Sequence, residues 1–369
     1  MTTTWATRLG LFGRALAAPL AAPLAALLVS LLIGSLIMLA SHVSPVAAYG
    51  SLLVGAFGSP QAIGRTLQTA TPLILTGIAV AFAFRGGLFN IGADGQFTAG
   101  AVAAAWAGTE ISLPAPFGVF IVLFLGAAAG AVVGAAAGYL KARFRAHEVV
   151  VTIMLNFIVA NLATWLLLNP LSAHKDVPGS KPIRAGNALP ALSPSLGGLH
   201  WGFAVAVLAA IAGWIFLWRT ARGLELRIAG LAPRAARFAG ISGAGAAVMA
   251  LGGGGAFAGI GGAGEVLGTY GNMTVPFVSN LGFLGIGVAL LGRNHPVGCI
   301  FGGIVLGALS AGGQQMQFDV GISAHLSDIL VGIVLLFVTA KVLRTSGRIR
   351  PLRSASNPTA IMTVGGENQ

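Results

Sequence analysis

Charge and cysteine are both scarce in this sequence. Its 369 residues carry 21 basic and nine acidic side chains, 8% of the chain, where a soluble domain averages about a quarter. That is too little charge to dress a water-facing surface, which excludes a soluble enzyme. With 56% apolar residues and a mean hydropathy of +0.88, a disordered chain is excluded as well. One cysteine, Cys299, rules out a disulfide framework and a thiolate metal site. No H-E-x-x-H, nucleophile elbow or G-x-x-x-x-G-K-[ST] loop occurs, so any ATP hydrolysis belongs to another chain. A relay of mid-membrane carboxylates, which a proton-coupled pump requires, is missing too. Asp94, Glu148, Glu265, Asp319 and Asp328 all sit toward the ends of apolar segments.

What is abundant is apolar sequence and glycine. Glycine accounts for 55 residues, about twice its usual share, as expected where membrane helices pack closely. A helix needs roughly 20 apolar residues to cross a bilayer core. The predicted spans are 16–41, 63–84, 91–108, 117–140, 148–168, 201–218, 243–264, 277–292, 297–311 and 325–343, ten in all. The third, eighth and ninth are short or interrupted by glycine, the pattern of broken or re-entrant segments.

Placing the N-terminus in the cytoplasm puts 17 of the 21 Lys and Arg inside. Only Arg65, Lys175, Lys181 and Arg184 are then left outside. This is the positive-inside pattern, and it places both termini in the cytoplasm. The basic excess is therefore a topology signal, and nucleic acid is not a partner. The first apolar run is too long for a signal peptide and reads as an uncleaved span. Segment 169–200 is the longest outside connection, held extended by five prolines. Residues 345–369 form a polar cytoplasmic tail.

Four segments carry chemical information. Segment 219–242 is too polar to span, and Gly230 and Pro233 break its helical stretches. Pro233 suits a first helical turn, Ala235, Ala236, Phe238 and Ala239 give a partly apolar face, and Gly240 stops the helix. Such a helix can dock in a groove of a soluble partner or lie on anionic membrane lipid, and composition leaves the two open. Segment 85–100 sets Asn90, Asp94 and Gln96 among glycines that permit an irregular backbone. Asp94 fits equally an N-cap of the following helix or a substrate contact.

Segment 147–161 carries Glu148 at a helix start, where a negative charge is favoured. Asn156 and Asn161 lie deeper and about 140° apart around the helix, so one can bridge helices while the other faces a pore. Segment 252–265 contains G-x-G-x-x-G spacings inside a span. No strand precedes it, so it reads as close helix packing through Gly255 and Gly259 rather than a dinucleotide site. A weak echo links 87–92 to 282–287, as internal repeats do in transporters.

At 87–96 the run Gly-Leu-Phe-Asn-Ile-Gly-Ala-Asp-Gly-Gln resembles the G-x-[FL]-N-[IL]-G-x-E-G-Q signature of bacterial ABC-importer permeases for nucleosides and simple sugars. That branch shares a superfamily with the ribose and branched-chain amino acid permeases. Segments 147–156, 219–241 and 283–296 resemble further blocks of the family, so the likeness covers about residues 65–340. The sequence departs from the pattern at Asp94, where Glu is usual, and at Ala232, where Asn is common.

The resemblance implies an all-α polytopic membrane protein of the type II ABC importer kind, multi-pass in the bacterial inner membrane. Residues 1–344 would be the permease domain, with 219–242 as its coupling loop. Implied partners are a cytoplasmic ATP-binding cassette ATPase, a second homologous permease subunit and an extracytoplasmic substrate-binding lipoprotein. No cofactor is expected in this chain, since ATP and magnesium belong to the ATPase. The expected substrate pathway is Asn90, Asp94, Gln96, Asn156 and Asn161, and the expected ATPase contact is Gly230, Arg234, Arg237 and Gly240. Nucleosides are the expected cargo and simple sugars the alternative. A secondary carrier or channel would need coupling carboxylates, and a membrane enzyme would need a convergent catalytic set.

Overall fold

The computed structural model describes residues 28–40, 42–174, 177–275, 277, 280–321, 329, 332 and 333. The tail 345–369, most of the expected span 325–343 and the beginning of 16–41 lie outside them. The helices in order are α1 (Leu28–Ala40), α2 (Pro45–Phe57), α3 (Pro60–Arg85), α4 (Ala93–Glu110), α5 (Phe117–Phe144) and α6 (Glu148–Leu168). A short antiparallel hairpin follows, β1 (Ser172–His174) and β2 (Val177–Ser180). Then come α7 (Gly202–Arg219), α8 (Ala221–Leu231), α9 (Pro233–Phe238), α10 (Gly243–Glu265), α11 (Leu281–Leu291) and α12 (Pro296–Val320).

Among the described residues, six helices are long and apolar enough to cross a membrane: α3, α5, α6, α7, α12 and α10 with its continuation to Tyr270. Five of them contain one of the ten predicted segments whole, and α7 begins one residue inside the sixth. Three features depart from the sequence expectation, and a fourth, the shortness of the eighth segment, follows it. Helix α2 occupies a stretch read as a connection. Ser44 and Ser59 each cap a helix that opens on proline, Ser59 Oγ accepting the Ala62 amide at 3.1 Å. Helix α12 is no short segment, because it continues through Gln314–Asp319 to Val320. Segment 169–200 folds rather than running extended. Its amides at Ser180, Ile183 and Leu189 bond to carbonyls of Met273, Gly271 and Leu267. Helix α11 has 11 residues, about 16 Å, half of a bilayer core.

The molecule has two ends. One carries the β-hairpin, and the other carries α8 and α9. Helix α3 runs between them through the middle, buried without a break from Ala70 to Ala83. Helices α4 and α11 start inside the molecule and run apart. Gly282 lies against Ala93 and Asp94. From that meeting point α4 ends beside Arg184 at the hairpin end, and α11 leads to the Arg293–Asn294 turn beside Arg85 at the other.

The tightest packing is a glycine seam between α5 and α10. A methyl group added at Gly130 would overlap the Gly255 carbonyl, and one at Gly255 the Gly130 carbonyl. Gly259 meets the Gly126 carbonyl in the same way, and Gly100 of α4 joins from the other side against Gly259. The two residues singled out in the glycine-rich span thus sit at backbone-to-backbone contacts, where a Cβ has no room.

Candidate functional site

The backbone entering α4 is irregular from Gly87, which has φ +73°, to Gly92. Side chains take up the hydrogen bonds that a helix would have made. Asn90 and Gln96 form a reciprocal amide pair. Asn90 Nδ2 donates to Gln96 Oε1 at 2.9 Å, and Gln96 Nε2 donates to Asn90 Oδ1 at 3.1 Å. Asn90 Oδ1 also accepts the Gly92 amide at 3.1 Å. Both side chains are fully buried and line none of the cavities described below.

Asn156 reaches across from α6. Its Oδ1 accepts the Gly95 amide and its Nδ2 donates to the Ile91 carbonyl, both at 2.9 Å. Asp94 does not cap its own helix, whose N-cap is Gly92. Its Oδ1 instead accepts the Gly282 amide at 2.7 Å, satisfying a donor in the first turn of α11. The echo between 87–92 and 282–287 therefore joins unlike conformations, a turn and a helix, whose neighbouring helix starts abut.

Asp94 and Asn156 border a cavity of about 290 Å³ whose other walls include Thr98, Phe157, Phe277 and Phe283. Aromatic walls with a few fixed polar groups are the usual make-up of a small-molecule site. Phe157 and Phe283 are both partly open to the outside of the chain. Asn161 lies beyond them on α6, exposed, with Nδ2 donating to its own helix at the Phe157 carbonyl. Of the five expected pathway residues, two border the cavity, one stands exposed on a helix that lines it, and two lock the backbone behind it. Glu148 opens α6 and pairs with Lys141 at 2.6 Å. Among the described residues no three His, Cys, Asp or Glu side chains converge as a metal site would need.

At the opposite end, α8 and α9 project. Helix α8 continues through Gly230, and the break falls at Ala232. Gly230 instead allows a close approach, since a Cβ there would stand 2.5 Å from the Arg85 carbonyl and 2.6 Å from the Gly87 amide nitrogen. The projecting helix is thereby tied to the turn that enters α4. Helix α9 opens on Pro233 and closes at Gly240, φ +74°. The Ile241 amide returns to the Ala236 carbonyl and the Gly240 amide to Arg237, the double bond of a Schellman cap. Arg234, Arg237 and Gly240 are exposed. So are Leu231 at 85% and Phe238 at 95%, large apolar groups that the described residues leave open. A cleft of about 880 Å³ opens alongside, bordered by Arg143, Arg222 and Ser242.

A second link was not visible in the sequence. Trp218 at the end of α7 lies between the Arg85 and Arg227 guanidiniums, 5.1 and 5.3 Å from its ring, with the His295 ring 4.7 Å away. Arg85 also donates to the Asn294 and Arg293 carbonyls at 2.7 and 3.2 Å. Burial, and then the nearby Arg85 charge, hold His295 below its ordinary value, which favours the neutral ring beside that guanidinium. This cluster joins α8 to the ends of α3 and α7 and to the start of α12. No spacing rule brings residues 85, 218, 227 and 295 together.

Residues 62–339 match the family described as the branched-chain amino acid transport system permease component. The chain is 40% identical over 310 residues to the guanosine ABC transporter permease protein NupP of Bacillus subtilis (strain 168), covering 83% of this chain and 89% of that protein. It is 32% identical over 324 residues to the nucleoside ABC transporter permease protein NupB of Lactococcus lactis subsp. cremoris, covering 84% and 87%. It is also 32% identical over 315 residues to the glucose ABC transporter permease protein TsgB13 of Haloferax volcanii, covering 83% of each chain. No solved structure matched.

Proposed function

The chain belongs to the branched-chain amino acid transport system permease component family, and from that premise we propose that it is the membrane-spanning, non-catalytic subunit of an ABC importer for nucleosides. The likeness to permeases named for guanosine and for nucleosides, each over more than four fifths of the chain, carries this reading. The cavity at Asp94 and Asn156 supports it. An uncharged amide, one carboxylate and three phenyl rings suit a solute with a flat aromatic base and a hydroxylated sugar. The exposed Asn161 amide on the same helix is costly against lipid, so this face of α6 is better matched to a water-filled path or to a second permease subunit.

The remainder of the assembly is inferred in the same way. The chain crosses the bacterial inner membrane about ten times, with both termini and α8–α9 in the cytoplasm and the β-hairpin outside. Residues 1–344 form the permease domain. An ATP-binding cassette ATPase, which carries the ATP and magnesium, grips α9 through Arg234, Arg237 and Gly240 together with Phe238. Its closure moves α8, and the Gly230 contact and the Trp218 cluster pass that movement to α3, α4 and α12. A lipoprotein delivers the solute at the hairpin end.

The test is uptake of labelled guanosine by cells that express the chain with its neighbouring ATPase, second permease and lipoprotein genes. Accumulation that requires all four supports the proposal, and accumulation by this chain alone refutes it. The likeness to a permease named for glucose makes a simple sugar the second reading, favoured if labelled glucose or ribose accumulates and guanosine does not.

A further inference from the structure

A second cavity, of about 390 Å³, opens toward the hairpin end between α3, the end of α10 and α12. Its polar walls include Glu265, Arg65, Gln68, Gln315 and Thr269. The sequence placed Glu265 at a span's end. The helix instead continues past it as a π-turn from Val266 to Tyr270, and Glu265 is 6% exposed. Among the described residues it forms no ion pair, since both salt bridges found there lie elsewhere, at Lys141–Glu148 and Arg222–Glu225.

A chain of hydrogen bonds fixes how Glu265 is presented. The Gly202 amide donates to His200 Nδ1 at 3.1 Å, so the neutral ring carries its proton on Nε2. Nε2 lies 3.2 Å from Thr269 Oγ1 and donates to it. Thr269 Oγ1 also accepts the Gln68 amide at 3.4 Å, leaving the hydroxyl's own proton to donate on the cavity wall it shares with Glu265. These links all run toward Thr269, one helical turn after Glu265 on the same wall, so donors are ordered around a buried acceptor. Arg65 and the second amide hydrogens of Gln68 and Gln315, whose first are bonded to Thr269 and Asp319, supply donors on the same cavity.

We propose that this cavity is a separate binding station, taking a neutral solute whose adjacent hydroxyl or N–H donors pair with Glu265. It rests on the nucleoside reading for its cargo, where those donors are the sugar diol or the amine-bearing edge of the base. A bare cation is a poor match, because Arg65 shares the space. The station is distinct from the cavity at Asp94 yet adjoins it. Leu281 borders one and Phe283 the other, so the first turn of α11 stands between them.

The test uses the assembled importer in proteoliposomes, with a nucleoside, its 2′,3′-dideoxy analogue, its analogue lacking the exocyclic amine, and a panel of sugars. Glu265→Gln keeps the size and replaces one acceptor oxygen with a donor. Uptake at low substrate is expected to fall about tenfold, the equivalent of 1.4 kcal/mol, and discrimination against one of the two analogues is expected to shrink. Gln317→Ala, on α12 outside the cavity, is expected to match wild type. Should Glu265→Gln fail to assemble, Gln315→Ala on the cavity wall carries the test, with reduced uptake expected.

Unchanged uptake and discrimination in the cavity variant overturn the station while nucleoside import stands. Import of a sugar alone, impaired by Glu265→Gln, keeps the station and removes the nucleoside reading. A wild-type assembly that imports neither class overturns both.

Discussion

Asp94 of α4 caps a helix other than its own, accepting the amide of Gly282 in α11 at 2.7 Å. Two helices that run apart are thereby pinned at their starts by one charge-assisted bond, beside a cavity that the same carboxylate borders. The residue is structural and placed for contact with a solute at once.

Asp94→Ala removes the acceptor and is expected to destabilise the chain by about 1–2 kcal/mol. Asp94→Asn keeps an acceptor oxygen and should lose less than half of that. Thermal unfolding of the purified protein in detergent reads the difference, and an alanine variant as stable as wild type would refute the capping role.

Asn156→Leu deletes two bonds at 2.9 Å to the entrance of α4. The expected loss is about 1–3 kcal/mol for the amide and carbonyl left unpaired, with uptake reduced in membranes that hold normal amounts of the chain. Wild-type flux at equal abundance removes Asn156 from the route.

Gly230→Ala forces a methyl group between α8 and the 85–87 turn. ATP hydrolysis by the assembled importer is expected to continue while uptake falls by about tenfold, a coupling loss of 1.4 kcal/mol. Parallel ATPase and uptake assays decide it, and a proportionate loss of both activities contradicts the linkage.

Phe238→Ala and Arg237→Glu alter side chains exposed among the described residues. Both should leave its stability unchanged and weaken capture of the ATPase in detergent. A buried Phe contributes about 1.5–3 kcal/mol, so a loss of affinity of at least about tenfold is expected. Undiminished capture places the ATPase elsewhere.

Burial holds His200 below its ordinary value of 6.5. The folded protein prefers the neutral ring, so this site costs no stability above that pH. The penalty grows as pH falls from 6.5 toward the lowered folded value. Protonation also destroys the acceptor that takes the Gly202 amide. His200→Gln should flatten the acid side of the stability curve, as measured by unfolding from pH 7 to pH 5.

Much of this was legible in residue order. Long apolar runs located the six principal helices, because a bilayer-length hydrophobic stretch has few other interpretations. Pro233 and Gly240 marked α9 through backbone chemistry that needs no tertiary partner. Gly255 and Gly259 announced close packing, although not that α5 supplies the opposing face. Ser44-Pro45 and Ser59-Pro60 marked helix starts just as plainly, and the apolar-span reading passed over them.

What stayed hidden depends on distant residues meeting. Asn90, Gln96 and Asn156 were identified as polar groups needing partners, but only the fold decides whether a partner is a solute or a backbone amide. Glu265 read as a residue near a span's end, whereas the helix continues past it as a π-turn in which Gly268 lies against the His200 ring. The Trp218 stack draws one residue from each of four segments.

The seam between α5 and α10 leaves those two helices no rotamers to exchange. Peptide planes rest on peptide planes, so sliding one past the other meets atoms that cannot swing aside. The pair must travel as a single slab. Deformation during each cycle is then confined to the slab's margins, where side chains such as Trp218 and Phe283 can still turn.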